Sequence, residues 1–289
     1  MNKRILITGS SGYIGRNLYP FLLKLGYDVL GLDKEASATC DVILDLRLRK
    51  QVNNFFRDTE FDVIIHMAAE TDTINRDQSI HGANIEMASN ICAAIKSAHT
   101  SRVINFSSML AEPFDPQSKG FHPQTIYGFS KKNAETIFEQ EMGRLTSLIH
   151  LRPTTVWGLD MDISRFTFMK HLSFGKLIFF PRSDHLFKSY ATIEASLTNI
   201  WGALESKARG VHYLCDEVPL PVSSYVDWIA FRLSKKVVYL PFFKLNNFIF
   251  KVALKYIFPS KYRQYLNLIQ EFQFQKLGCT GSSGLGNSE

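Results

Sequence analysis

Arg4-Ile5-Leu6-Ile7-Thr8-Gly9-Ser10-Ser11-Gly12-Tyr13-Ile14-Gly15, followed by an amphipathic run to Leu25, decides the fold. A short apolar strand runs into a turn with glycines at 9, 12 and 15, and the turn opens a helix. Gly9 permits the tight turn, Gly12 lets a backbone approach a pyrophosphate, and Gly15 lets helix and strand pack closely, while the helix N-terminus supplies oriented N–H donors. A glycine triplet alone is weak evidence; its strand–turn–helix context gives it weight. The second strand ends on Asp33, whose carboxylate can accept both hydroxyls of an adenosine ribose and would repel a 2′-phosphate. The stretch therefore reads as a dinucleotide site that favours NAD over NADP, although Lys34, a neighbouring cation, could accommodate that phosphate.

Outward from this unit the first 150 residues alternate β-branched runs with segments of helical period, which calls for parallel strands joined by crossover helices. Strands are predicted at 4–8, 28–32, 42–44, 63–66, 103–106 and 148–151, and helices at 13–25, 48–56, 80–98 and 125–144. The predicted fold class is α/β: a doubly wound parallel Rossmann sheet with a smaller, discontinuous C-terminal substrate lobe. Residues 1–157 plus about 189–215 are assigned to the NAD-binding domain, including a helix at 192–205 and a strand at 210–214. About 158–188 plus 216–277 are assigned to the substrate lobe, and 278–289, rich in Gly and Ser, to a flexible tail.

The 289 residues are 45% hydrophobic and 21% charged, an ordinary globular composition that excludes disordered and fibrous classes. Cys40, Cys92, Cys215 and Cys279 are widely spread with no Cys-x-x-Cys pair, so neither a disulfide framework nor a metal site is expected. The first ten residues lack a signal-peptide core, no apolar stretch is long enough to span a bilayer, and a cytoplasmic protein is expected. Net charge is +6, unevenly placed. From Ala230 to Lys276 nine Lys or Arg face one acid, Glu271.

Tyr127 and Lys131 stand four apart on a predicted helix and share a face. A buried phenol is a poor acid or base at neutral pH, but an adjacent ammonium and a cationic nicotinamide favour the phenolate, which can take or return a hydroxyl proton. The spacing is cheap by itself. Its position about 20 residues after the strand ending Asn105-Phe106-Ser107-Ser108 puts a hydroxyl at the same carboxyl edge as the glycine turn, and Ser108 is read as the donor to the substrate oxygen.

Taken together, Thr8 to Gly15, Asp33, Asp45-Leu46, His66-Met67-Ala68-Ala69, Asn84, Ser107-Ser108, Tyr127-Gly128-Phe129-Ser130-Lys131 and Leu151-Arg152-Pro153 resemble the extended short-chain dehydrogenase/reductase family, in its NAD-dependent epimerase/dehydratase branch of nucleotide-sugar enzymes. The resemblance implies Gly9, Gly12, Tyr13, Ile14, Gly15 and Asp33 as cofactor-binding, with Asp45 and Leu46 at the adenine. It further implies Met67, Ala68, Ala69 and Asn84 along the cofactor, Pro153 and Thr154 near the nicotinamide, and Tyr127 and Lys131 touching both cofactor and chemistry. Substrate-binding roles fall to Ser108, Tyr127, Thr155 and Lys188.

Departures narrow the activity. Dehydratases of this branch place Asp-Glu after the catalytic hydroxyl, where this chain has Met109 and Leu110. The residue that often holds the nucleotide is Thr155 rather than Asn, and the usual diphosphate-binding Arg is Lys188, which keeps the charge without the bidentate fork. An NAD-dependent nucleotide-sugar 4-epimerase working through a keto sugar is expected. The alternatives are a keto-sugar reductase or dehydrogenase and a catalytically idle dinucleotide sensor. The basic, aromatic stretch 240–275, where Phe248, Val252 and Tyr256 recur with Lys251 and Lys255 opposite, reads as helices closing the cleft or pairing a homodimer, or as a peripheral membrane contact. No nucleic-acid motif accompanies the charge.

Overall fold

The computed structural model describes residues 3–71, 77–95, 100–111, 125–143, 145–162 and 172–240, together with 251, 252, 255, 256 and 262. They divide into two compact units. One holds the chain through Gly158 and returns for Ala191–Cys215; the other holds Leu159–Tyr190 and resumes at Asp216.

The first unit contains β1 (Arg4–Thr8), α1 (Tyr13–Lys24), β2 (Asp28–Asp33), β3 (Val42–Ile43), α2 (Arg49–Arg57), β4 (Val63–His66), α3 (Gln78–Ile95), β5 (Arg102–Phe106), α4 (Ile126–Met142) and β6 (Ser147–Pro153). The helix Ile193–Glu205 and the strand Gly210–Leu214 complete it. Seven strands form one sheet in the order Gly210–Leu214, β6, β5, β4, β1, β2, β3, and every neighbouring pair is parallel. The chain winds outward in both directions from β1, so the order reverses between β1 and β4, the place where such sheets accept ligands.

Alternation along β1 builds two cores. Leu6, with Leu32, Ile64 and Val103 of neighbouring strands, packs on the α2–α3–α4 face beside Val52, Ile91 and Phe138. Ile5 and Ile7, with Val29, Ile65 and Ile104, pack on the opposite face against Leu18, Leu22, Ile200 and Leu204. Burial on both faces explains why these strands read as continuous apolar runs rather than alternating ones. The expected strands and helices of this unit are present, with ends that coincide or differ by up to three residues and α3 described only to Ile95.

In the second unit, Ser173–Phe174 and Leu177–Pro181 form an antiparallel hairpin, and Lys236–Leu240 adds in parallel to Leu177–Pro181. Phe187–Lys188 pairs with Leu220–Pro221 ahead of the helix Val222–Arg232. None of these elements was expected from the sequence. Tyr190 stacks on Tyr225 with ring centroids 4.6 Å apart, and Tyr225 on Trp228 at 6.1 Å. Among the described residues no helix is long and apolar enough to cross a membrane. Most of the 240–275 stretch and the 278–289 tail lie outside the described residues.

Candidate active site

The turn after β1 is tied down by its own backbone: Gly9 N–H donates to the Leu32 carbonyl at 2.8 Å, and Gly12 N–H to the Gly9 carbonyl at 3.1 Å. Gly9 has φ +76°, and a Cβ there would lie 2.6 Å from the Ala68 nitrogen; one on Gly15 would run into the Gly9 carbonyl. Only glycine lets the turn lie this close to the segment after β4. Gly12 is the N-cap of α1, and no side chain caps the helix there. A diphosphate is the group that such a cradle and helix N-terminus accommodate, so the residues present fit a dinucleotide. Tyr13 and Ile14 begin that helix.

At the end of β2 the Asp33 carboxylate accepts the Ser11 N–H at 3.0 Å and the Glu35 N–H at 3.1 Å. It is thereby fixed beside the glycine turn. Lys34 is drawn instead into an ion pair with Glu70 at 2.7 Å. Asp45 is engaged by the Arg47 guanidinium, with both carboxylate oxygens 3.0 Å from Nε, and those hydrogen bonds hold its carboxyl below the usual range. The Leu46 side chain lies in the core, while its carbonyl accepts from Asn90 at 2.9 Å.

The paired strands β1 and β4 contribute through their last residues, Thr8 and His66. The Thr8 hydroxyl lies 2.8 Å from His66 Nδ1 and accepts the Met67 and Ala68 N–H groups at 3.2 and 3.3 Å. Burial and then the Lys131 charge push the His66 imidazole down to about 3, so it stays neutral. Ala69 follows, partly buried. Asn84 is buried on α3: its Oδ1 accepts the Glu70 N–H at 2.8 Å, and its Nδ2 donates to the Glu70 carbonyl at 3.1 Å and to Ser130 Oγ at 2.9 Å.

β5 delivers Ser108 to the carboxyl edge, where a 3-10 turn, Met109–Ala111, begins and the Ser108 hydroxyl accepts the Leu110 N–H at 3.1 Å. The Thr125 hydroxyl caps α4 by accepting the Gly128 N–H at 2.9 Å. One turn on, Tyr127 and Lys131 are both buried. Burial raises the Tyr127 phenol to about 12, opposed by its hydrogen bond with Ser108. The expected drop toward the phenolate is thus absent in this state, because desolvation outweighs the Ser108 hydrogen bond. Burial likewise lowers Lys131 to about 8, and the Glu135 charge works against that.

Two features here were missed from the sequence. Glu135, one turn beyond Lys131, has no exposed surface and pairs with Arg152 of β6 through Oε1–Nε at 2.8 Å and Oε2–Nη2 at 2.9 Å. Lys132 adds a contact at 3.1 Å. Burial alone would raise this carboxyl, but the Arg152 hydrogen bonds, helped by Ser107 and Lys132, bring it down to about 2. His81 of α3 meets the Tyr127 ring edge-on at 5.8 Å, and both of its ring nitrogens are buried without a hydrogen-bond partner. Helical spacing from Lys131 to Glu135 and an arginine inside an apolar strand were the available signals for the ion pair; nothing marked His81.

The remaining expected residues divide between the units. Pro153 ends β6, and the Thr154 hydroxyl and N–H both donate to the Leu214 carbonyl, at 3.2 and 3.1 Å. Thr155 follows, partly buried. Lys188 lies in the second unit, buried, with its ammonium 5.5 Å over the Tyr190 ring; desolvation brings it down to about 7.

A family profile described as NAD dependent epimerase/dehydratase matches residues 5–172. One relative is an Escherichia coli O157:H7 N-acetyl-alpha-D-glucosaminyl-diphospho-ditrans,octacis-undecaprenol 4-epimerase, 24% identical over 84% of this chain and 76% of its own length. Among solved structures, UDP-glucose 4-epimerase from Thermus thermophilus in complex with NAD superposes with a TM-score of 0.64 at 19% identity, over 82% of this chain and 86% of that one. The dTDP-4-dehydrorhamnose reductase of Bacillus anthracis str. Ames in complex with NADP gives 0.66 at 19% identity, over 84% of each chain.

Proposed function

This chain belongs to the NAD dependent epimerase/dehydratase family, as an enzyme of the extended short-chain dehydrogenase/reductase type that uses a nicotinamide dinucleotide, and from that premise we propose that it is an NAD-dependent 4-epimerase of nucleotide-linked sugars. What supports the reading is the hydrogen bond between Ser108 and the Tyr127 phenol, with Lys131 buried one turn further along α4 and acting on His66, whose Nδ1 meets the Thr8 hydroxyl beside the glycine turn.

Tyr127 removes the C4 hydroxyl proton, Ser108 donates to the same oxygen, and the Lys131 ammonium stabilises the phenolate that forms. A bound nicotinamide supplies reversible hydride acceptance. Once the keto sugar presents its other face, Tyr127 returns the proton. Met109 and Leu110 place no acid beside Ser108, which disfavours elimination of water. Pro153 and Thr154 at the end of β6 are assigned to the nicotinamide, and Asp45, Leu46, Met67, Ala68, Ala69 and Asn84 to the rest of the cofactor. Thr155 and Lys188 are assigned to the substrate.

The test is a panel of UDP- and dTDP-sugars incubated with catalytic NAD and followed by NMR. The expected result is a C4 epimer with no net change in NADH absorbance. Stoichiometric consumption of reduced cofactor would assign the chain to the reductases instead.

NAD is the cofactor this reading selects. Asp33 stands ready for ribose hydroxyls while Lys34 is directed to Glu70. Asp33→Ser removes the charged acceptor and is expected to weaken NAD binding by about 10–100-fold. NADP binding should weaken less or improve, which fluorescence titration of the two cofactors checks.

A further inference from the structure

The second unit carries an unusual edge. Phe174 is 80% exposed and Phe231 77%, with Leu177 at 36%. Isolated exposed apolar residues are ordinary, but aromatic side chains gathered at one edge mark an interaction surface. These three are gathered by the backbone. Phe174 and Leu177 flank the hairpin turn Gly175-Lys176, where Gly175 has φ +56°. Phe231 sits in the last turn of the helix Val222–Arg232, and the Ser234 N–H donates back to its carbonyl at 3.0 Å. The two turns are joined directly. Lys235 Nζ donates to the Gly175 carbonyl at 2.5 Å, and the Lys236 N–H to the Lys176 carbonyl at 2.8 Å.

Charge selects the partner. Residues 172–177 and 228–238 contain Lys176, Arg232, Lys235 and Lys236 and no acid. The nearest acid in sequence, Asp227, accepts the Tyr239 hydroxyl at 2.8 Å. Aromatic and leucine side chains projecting from turns, ringed by cations, match the interface of an anionic bilayer, where rings settle at the headgroup level and ammonium groups meet the phosphates. Single-stranded nucleic acid also pairs cations with aromatic rings, but it is bound in a groove that tracks its backbone. Here the rings are exposed at a hairpin turn and at a helix end. A described helical fragment of the same unit has the same composition: Val252 and Tyr256 are exposed, and Lys255 lies 6.0 Å over the Tyr256 ring.

We propose that the edge formed by the 173–178 hairpin and the 231–236 turn docks on an anionic lipid surface. The docking is independent of the catalytic reading, because it is read out without substrate or cofactor.

The experiment is co-sedimentation of the purified full chain with unilamellar vesicles at about 0.1 M salt, using pure phosphatidylcholine and phosphatidylcholine with about 30% phosphatidylglycerol. The chain is expected to pellet with the anionic vesicles and to stay in solution with the neutral ones. Two double variants, Phe174→Ser with Phe231→Ser and Lys176→Glu with Lys236→Glu, are each expected to lower partitioning at least about tenfold, given about fivefold for each cation lost near the surface. Their thermal midpoints should match the parent, since the altered side chains are exposed. Failure to bind the anionic vesicles overturns the proposal, as does binding that survives both variants. Tighter binding to a single-stranded oligonucleotide, lost on Lys176→Glu with Lys236→Glu, overturns it in favour of nucleic acid.

Discussion

Tyr127→Phe is expected to lower kcat by about 10²–10⁴-fold, the range of a positioned acid–base group, while the protein folds normally and still binds dinucleotide. The phenylalanine ring keeps the buried volume and the edge-on contact with His81; only the hydroxyl beside Ser108 is lost. Single-turnover measurements with saturating cofactor isolate the effect, and titration of the cofactor shows that the site is otherwise intact. Activity that persists in the variant would remove Tyr127 from the chemistry and leave the idle-sensor reading in its place. In the proposed mechanism the phenol, held at about 12 by burial, depends on the Lys131 ammonium when it gives up its proton. In the parent enzyme kcat/KM should therefore fall as pH rises through about 8, where Lys131 discharges.

The second large effect is expected at Glu135. A carboxyl brought from its ordinary 4.5 to about 2 contributes roughly 3 kcal/mol at neutral pH. Glu135→Gln removes the Glu135 charge from the buried Arg152 guanidinium, and losing one partner of a buried pair costs about 3–5 kcal/mol. The folded carboxyl is depressed, so its contribution is fully present above the unfolded value of 4.5 and is lost as pH falls through about 2. Urea titrations should show the stability gap between parent and variant widest near neutrality and closing as pH drops from about 5 toward 2. A gap independent of pH would mean that packing, not charge, holds this helix. Because the Glu135 charge raises Lys131, the same variant should move the alkaline limb of kcat/KM to lower pH, a readout that a purely structural role would leave in place.

Much of the first unit was legible because its elements are long, periodic and consecutive. The glycine turn, the strand-end Asp33 and the buried runs at β1, β4 and β5 each state a local requirement that only a few residue types meet. Element ends drifted by up to three residues, as fraying termini do. The second unit was opaque for the opposite reason. Ser173–Phe174, Phe187–Lys188 and Leu220–Pro221 are two residues each, too short for a period, and Leu177–Pro181 finds its parallel partner in Lys236–Leu240, far along the chain. The candidate trio of Ser108, Tyr127 and Lys131 was marked by position, whereas the residues packed around it were not. Glu135 and Arg152 look like ordinary helix and strand charges until the fold buries both, and His81 gave no sign that it would lie against Tyr127. Spacing shows an ammonium one turn from Tyr127, but not the depth of burial that raises its phenol to about 12 in this state.

The Asn84 amide has a directionality with consequences for engineering. Its oxygen must face a peptide donor while its nitrogen serves two acceptors, so neither aspartate nor a rotated amide can substitute without setting like against like. The segment at Glu70 and the helix bearing Ser130 are thereby keyed to each other across separate parts of the sequence. Anyone grafting the reactive helix of another relative onto this scaffold would have to transplant both halves of that joint together.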